Sequence, residues 1–274
     1  MLSLFSRKAK SAAPETPRGG LGRVYAVGDV HGRLDLFMAM LQRIGDDLAE
    51  RPSPLFQIIF LGDLIDRGPQ SARVVESAMT LARGTSRLRF LKGNHEEMLL
   101  RAHDGDALVA HRYYSVGGRD TLASYGLEDG AGDAMSGEEL VAWMQAAIPA
   151  EHIAFLSRFE DMIQSGDYVF VHAGVKPGVP LHGQQVSDLR WIRGEFLRAA
   201  RPYPGVVVHG HSITDALDEQ PHRIGVDTGA YSSGRLTAIA IEGEARWSLT
   251  ACEAEIGPHW NAAAGLEYLL SPQP

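Results

Sequence analysis

In the stretch "VYAVGDVHGRLD" (residues 24–35), four apolar or aromatic residues run straight into Gly28-Asp29-Val30-His31-Gly32. An apolar run of this kind is a buried strand, and glycines flanking a carboxylate and an imidazole let the backbone turn sharply where the strand ends. The residues that follow, Leu34, Phe37, Met38, Leu41, Ile44 and Leu48, recur at spacings of three and four, which predicts an amphipathic helix. "LFQIIFLGD" (55–63) is a second buried strand; a helix opening near Pro69 and ending at Gly84 follows, and "RLRFLKGN" (87–94) is a third strand. The βαβαβ order predicts parallel strands with right-handed crossovers, whose functional groups gather at the strands' C-terminal ends.

Residues 96–165 change character. "EEMLLRAH", "ALVAHRYY", "ELVAWMQAAI" and "AEHIAFLSRF" are mostly helical in period, with glycine-rich breaks at 117–118 and 126–137, and predict a helical insertion. Beyond it, "DYVFVHAG", "GVVVHGHS", "HRIGVDTGA" and "RLTAIAIEG" are β-like runs bounded by Gly, Pro and Asp, which predicts a second sheet. The expected organisation is a disordered leader over residues 1–21, one α/β domain of two stacked sheets with outer helices over 22–250, and a tail over 251–274.

Composition narrows the function classes. The chain has 274 residues and a net charge of −8, but residues 1–23 carry five cations (Arg7, Lys8, Lys10, Arg18, Arg23) against Glu15, so the remainder bears −12. A body of that sign does not hold nucleic acid through its field. No apolar run approaches the ~20 residues of a membrane span, so no stable membrane association and a cytoplasmic location are expected. The single cysteine, Cys252, has no partner for an internal disulfide or a CxxC site.

Three strand ends share one grammar: "VGDVHG" (27–32), "LGDLIDRG" (61–68) and "KGNHE" (92–96) each place Gly and then an oxygen-bearing side chain just past a hydrophobic strand. Neighbouring strands lie ~4.8 Å apart, so Asp29, Asp63 and Asn94 converge. Two later strands end in His172 ("VFVHAG") and His211 ("VVVHGHS"). Asp29, His31, Asp63, Asn94, His172 and His211 together are two carboxylates, three imidazoles and an amide, a set without thiolate that suits Mn, Fe or Zn. If Asp63 bridges two divalent ions, one held also by Asp29 and His31 and the other by Asn94, His172 and His211, each ion keeps open positions. With a bridging hydroxide the formal charge is about +1, which favours a phosphate dianion. A lone "GD" is more often a simple turn; the joint occurrence of five such elements is what points to a metal centre.

The ordered set "GDVHG", "GDLIDRG", "GNHE", "HAG" and "GHS" resembles the phosphoprotein phosphatase (PPP) branch of the calcineurin-like metallophosphoesterases, particularly its bacterial and bacteriophage lambda-type members, over about residues 22–245. The resemblance implies an α/β/β/α sandwich with a dinuclear centre, most expectedly Mn²⁺, with Fe or Zn also suitable. It makes Asp63 the bridging ligand and the other five residues terminal ligands. His95 becomes the proton donor to the leaving alkoxide, oriented by Asp66, while Arg67 and Arg193 ("LRWIRGEF") grip phosphate oxygens. A metal-bridging hydroxide then attacks phosphorus in line. Within "VVVHGHS" the family's register selects His211 over His209 as ligand. Arg190 stands where relatives usually have an apolar residue, and Tyr231 follows a loop that borders the family's active site. Gly117-Gly118 in "SVGGRDTLASYG" resembles a bacterial-type element that a helix break alone would also explain.

The expected activity is hydrolysis of phosphoserine, phosphothreonine or phosphotyrosine in proteins. The enzymatic alternative is symmetrical dinucleoside-tetraphosphate hydrolysis, whose bacterial enzymes tend to carry alanine in place of Asp66 and aspartate in place of Glu96. A catalytically silent scaffold is the alternative from another class; its usual mark is lost ligands, and here all six ligand types stand beside His95 and Asp66. His103, His111, His152, His182, His222 and His259 lack a comparable strand-end setting and are expected in helix or surface roles.

Overall fold

The computed structural model describes residues 16–201 and 203–256. Strands β1 (Arg23–Val27), β2 (Phe56–Phe60) and β3 (Leu88–Phe90) alternate with helices α1 (Leu34–Glu50) and α2 (Ser71–Gly84), as the hydrophobic periods predict. β1, β2 and β3 pair in parallel, Val27 opposite Phe60 and Phe60 opposite Phe90, so the segments that carry Asp29, Asp63 and Asn94 all leave this sheet at one level. The segment expected as a helical insertion over 96–165 is helical as far as Ser157, in α3 (Asn94–His103), α4 (Ala107–Tyr113), α5 (Arg119–Ser124), α6 (Gly137–Ala147) and α7 (Ala150–Ser157), with a π turn over Tyr114–Gly118; its last residues, 162–165, are strand instead, because they pair with the strand that follows.

A second sheet follows, built from β4 (Met162–Ser165), β5 (Tyr168–Val171), β6 (Val206–His209), β7 (Asp218–Gln220) and β8 (Arg223–Gly225) in the order β4-β5-β6-β8-β7. Between β5 and β6 the chain forms α8 (Val186–Trp191) and α9 (Gly194–Leu197). β5, β6 and β8 are parallel, which sends His172 and His211 beyond the same edge. The run "RLTAIAIE" becomes β9 (Arg235–Glu242) and departs from its neighbours in sequence, pairing antiparallel with β1 in the first sheet, where β10 (Ala245–Cys252) completes the order β10-β9-β1-β2-β3.

Period-two alternation builds the layers. Val24, Ala26, Ile59, Phe170, Val208, Ile224, Ile239 and Ile241 point between the sheets and form one buried cluster. Tyr25, Val27, Ile58 and Phe60 point the other way and pack with Phe37, Met40 and Val75 of the helices. On the far side, Val169, Val171 and Val207 meet Leu189 and Phe196. The result is the expected α/β/β/α sandwich. Of the segment expected as a leader, residues 1–15 lie outside the described residues; Arg18 and Gly19 are held by backbone hydrogen bonds to Asp167 and Gly243. Of the expected tail, Ala251 and Cys252 close β10, and residues 257–274 lie outside the described residues.

Candidate metal centre

All ten sequence-predicted site residues lie at the C-terminal edge of the two sheets. Their ring nitrogens and carboxylate oxygens form two groups, His31–Asp63–His95 and Asp63–His172–His211, in each of which the candidate atoms lie within 4.8 Å of one another. Asp63 is common to both. Asp29 stands beside the first group, with Oδ2 4.0 Å from His31 Nε2, and its carboxylate accepts the His211 backbone N–H at 3.1 and 3.2 Å. Asn94 stands in the second, with Oδ1 2.9 Å from His172 Nε2.

The donor set fits cations. His31 and His172 donate their Nδ1–H groups to the carbonyls of Ile65 and Leu61, each at 2.8 Å, which turns both Nε2 atoms inward. His172 Nε2 then faces Asp63 Oδ2 at 3.3 Å as well as Asn94. Burial disfavours a charged His172, yet the adjacent Asp63 charge outweighs it and raises that imidazole. Divalent cations suit such a cluster, since they would supply positive charge beside Asp63 while the nitrogens stay neutral. Burial lowers His31 to about 3, and burial with the His172 and Arg193 charges lowers His211 to about 2, so both rings offer lone pairs at neutral pH.

The register of β6 separates its two histidines. His211 leaves the strand with φ +62° and lies edge-on to His172, ring centroids 5.0 Å apart. His209 points through the other face of the sheet onto Phe196, ring centroids 5.0 Å apart, where burial lowers it to about 4.

Backbone strain marks the same place. Among the described residues, the non-glycine residues with positive φ are His31, Asp63, Asp66, Arg67 and His211, every one a candidate site residue. Left-handed backbone costs an L-residue roughly 1–2 kcal/mol, so surrounding contacts must hold it. Glu96, which is fully buried, does so at Asp63: its carboxylate accepts the backbone N–H groups of Asp63 (2.9 Å), Leu64 (2.7 Å) and Gly93 (2.9 Å), tying the ends of β2 and β3 together. Burial, then the Asp63 charge, raises Glu96 to about 7.

Close approach explains Gly93. A Cβ there would lie 2.0 Å from Asp63 Oδ1 and 2.6 Å from Asp63 N. Gly93→Ala is therefore expected to displace the shared carboxylate and weaken metal binding by about 10- to 100-fold, the usual scale for disturbing a ligand's support. Titration of Mn²⁺ into the metal-free variant by calorimetry measures this, and unchanged affinity would remove the steric argument.

His95 and Asp66 form a buried pair, Nδ1 to Oδ2 2.5 Å, with His95 Nε2 3.9 Å from Asp63 Oδ2. Burial opposes a charged His95, but the Asp63 charge and the Asp66 contact prevail and raise it to about 9. With Nδ1 held by Asp66, Nε2 is the ring nitrogen that faces the candidate metal groups. The Arg67 guanidinium spans 3.0 Å to His31 Nε2 and 3.3 Å to His95 Nε2, with the Tyr231 ring packed 4.8 Å from it. Arg193 donates from Nε to His211 Nε2 at 2.9 Å, so the two arginines stand by different metal groups. Arg190 pairs with Asp161 and Glu97, charged partners that account for a cation where an apolar residue was expected.

Sequence reasoning missed Asp227. Its carboxyl is buried against Asp29, and burial raises both acids; the charges of Asp227 and then Asp63 add to the rise at Asp29, and that of Asp63 adds to the rise at Asp227. A weaker signal was present: in "RIGVDTG" a short apolar run ends in Asp with a glycine two residues away on each side. His152, expected in a helix role, is buried in α7 between Tyr125 and Glu76.

Two stacked sheets with helices outside thus carry a buried carboxylate–imidazole cluster at one edge. The chain belongs to the calcineurin-like phosphoesterase family, whose model matches residues 22–216, and it is a hydrolase of phosphoesters. Members of this family bind two divalent metals. The chain is 24% identical over 242 residues to an asymmetrical bis(5'-nucleosyl)-tetraphosphatase, PrpE, of Anoxybacillus flavithermus, covering 78% of this chain and 88% of the relative. A solved structure of a candidate diadenosine tetraphosphatase superposes with a TM-score of 0.58 at 22% identity, over 85% of this chain and 95% of the other. A cold-active protein tyrosine phosphatase gives 0.54 at 19%, over 84% and 79%. These two share the fold. No helix of the described residues is long and apolar enough to cross a membrane.

Proposed function

We propose that this chain is a phosphomonoesterase of the PPP branch that removes phosphate from phosphoserine or phosphothreonine in proteins, with phosphotyrosine as a further substrate, and that residues 22–250 form its catalytic unit. The observation that carries this is the buried His95–Asp66 pair, 2.5 Å apart, beside Asp63. A serine or threonine alkoxide is a strongly basic leaving group and needs a proton as it departs, whereas a nucleotide departs as a stable anion and gains little from an acid. Building and burying such a pair suits the first chemistry.

In this mechanism Asp29, His31, Asp63, Asn94, His172 and His211 would hold two divalent ions, Mn²⁺ by preference, and the ions would supply Lewis acidity at phosphorus and an activated water. Arg67 and Arg193, standing by the two groups, bind the phosphoryl oxygens as negative charge builds on them. Tyr231 keeps the Arg67 plane in place. His95 gives its Nε2 proton to the departing oxygen, and Asp66 holds the ring through Nδ1.

A second reading is dinucleoside-tetraphosphate hydrolysis, favoured by the name of the Anoxybacillus relative. Mn²⁺-loaded protein assayed with phosphoserine peptides and with diadenosine tetraphosphate separates the two. The expected result is a higher kcat/KM for the peptides. Clear preference for the dinucleotide would replace the first reading, and the products, two ADP or ATP with AMP, would then tell symmetrical from asymmetrical cleavage.

A further inference from the structure

The glycine pair of the helical insertion does more than break a helix. At the π turn the backbone leaves helical geometry at Val116 and at Gly117 (φ +126°), which brings the chain over the turn that carries Asp66 and Arg67. Gly117 O accepts the Arg67 N–H at 3.1 Å, and a Cβ on Gly117 would lie 3.1 Å from Arg67 Cγ and 3.6 Å from His95 Cε1. A Cβ on Gly118 would lie 2.5 Å from the Tyr113 ring. One glycine therefore admits the backbone above the arginine and histidine; the other makes room for Tyr113.

That room is used. Tyr113 and Thr121 are both fully buried, and each donates its hydroxyl to Asp66 Oδ1 at 2.6 Å. Thr121 Oγ1 also accepts the Asp66 backbone N–H at 2.9 Å, a donor shared with Ser71 Oγ at 3.0 Å. Burial, then the Asp66 charge, holds the Tyr113 phenol well above its usual range, so it remains a donor. With Oδ1 occupied by two hydroxyls, Oδ2 is the oxygen left for His95 Nδ1. Asp66 and Arg67 adopt consecutive left-handed backbone, φ +76° and +66°, and the insertion bonds both of their N–H groups.

We propose that Tyr113 and Thr121 are positioning residues for proton donation: through Asp66 they fix the His95 ring, so that the insertion sets the geometry of the acid as well as the surface around the site. The inference rests on His95 being the acid. A misplaced acid slows departure of basic leaving groups and spares acidic ones; a general loss of structure slows both.

The test uses Mn²⁺-loaded full chain with phenyl phosphate, a poor leaving group, and 2,4-dinitrophenyl phosphate, a good one. The variants are Tyr113→Phe, Thr121→Val, their combination, and His95→Ala as the reference. The double variant is expected to lose about tenfold or more in kcat on phenyl phosphate and less than about twofold on the dinitrophenyl ester, with KM and metal content unchanged. Thr121→Ser, which restores the hydroxyl, recovers rate relative to Thr121→Val. In the metal-free protein the double variant also moves the downfield His95 Nδ1–H proton resonance.

Equal losses on both esters, or no loss on either, overturn the inference. If His95→Ala discriminates between the esters and the double variant does not, positioning fails and the acid reading stands. If His95→Ala itself does not discriminate, the acid reading fails and takes this inference with it. Should the double variant not fold, Tyr113→Phe, which removes a single oxygen, carries the same comparison.

Discussion

Asp63→Ala is expected to empty the site and abolish phosphoesterase activity. Its carboxylate is the one shared by both candidate ligand groups, and Oδ2 lies 3.3, 3.8 and 3.9 Å from the Nε2 atoms of His172, His31 and His95. Removing a supporting partner of a ligand commonly costs 10- to 100-fold in affinity; removing the ligand common to two ions should exceed that, with a loss of activity beyond about 10³-fold. Elemental analysis after dialysis should fall from about two ions per chain to nearly none. The sheets should survive, because Asp63 stands past the end of β2 and the inter-sheet core does not include it. Two retained ions with a rate within tenfold of the parent would remove Asp63 from the centre.

The second large effect belongs to His95. His95→Ala is expected to slow hydrolysis of a phosphoserine peptide by about 10²–10⁴-fold, the range in which a positioned acid contributes. It should leave both metal ions bound, because none of the six proposed ligands is removed. An ester that leaves without a proton should react at nearly the parent rate. The combination of retained metal and a loss graded by leaving-group basicity separates an acid from a ligand. Unchanged turnover of the phosphoserine peptide would end the general-acid assignment, and loss of metal would move His95 into the ligand set beside His31 and Asp63, where its ring also fits geometrically.

Much of the candidate cluster was legible because its residues follow the ends of short, largely apolar strands. "YAVGD", "IIFLGD" and "RFLKGN" each announce a strand, a sharp turn and a polar group in adjacent positions, and parallel pairing then requires the turns to meet. His172 and His211 were readable for the same reason in the second sheet. Tyr113 and Thr121 were not. Each lies in a stretch of helical period, where a tyrosine or threonine reads as a packing residue, and only the π turn between them aims both hydroxyls at Asp66.

The sheet to which β9 belongs was likewise hidden. Its alternating Ile and Ala residues suit either face of the inter-sheet core, and what seats it beside β1 is a pairing between residues about 215 positions apart, such as Val24 with Ile241. β10 alternates apolar and exposed residues only weakly, as an edge strand does, so its sequence does not separate its last residues, Ala251 and Cys252, from the tail that follows. Asp227 shows a different failure: "GVDTG" ends a short apolar run in an acid but lacks the Gly-then-oxygen order of the other strand ends, and a third buried acid beside Asp29 has no place in simple charge counting.

Crystals grown with Mn²⁺ and measured at the manganese absorption edge test the centre most directly. Two anomalous peaks on either side of the Asp63 carboxylate, one reached by Asp29 and His31 and the other by Asn94, His172 and His211, are the predicted result. A single peak, or two that do not share Asp63, would contradict it.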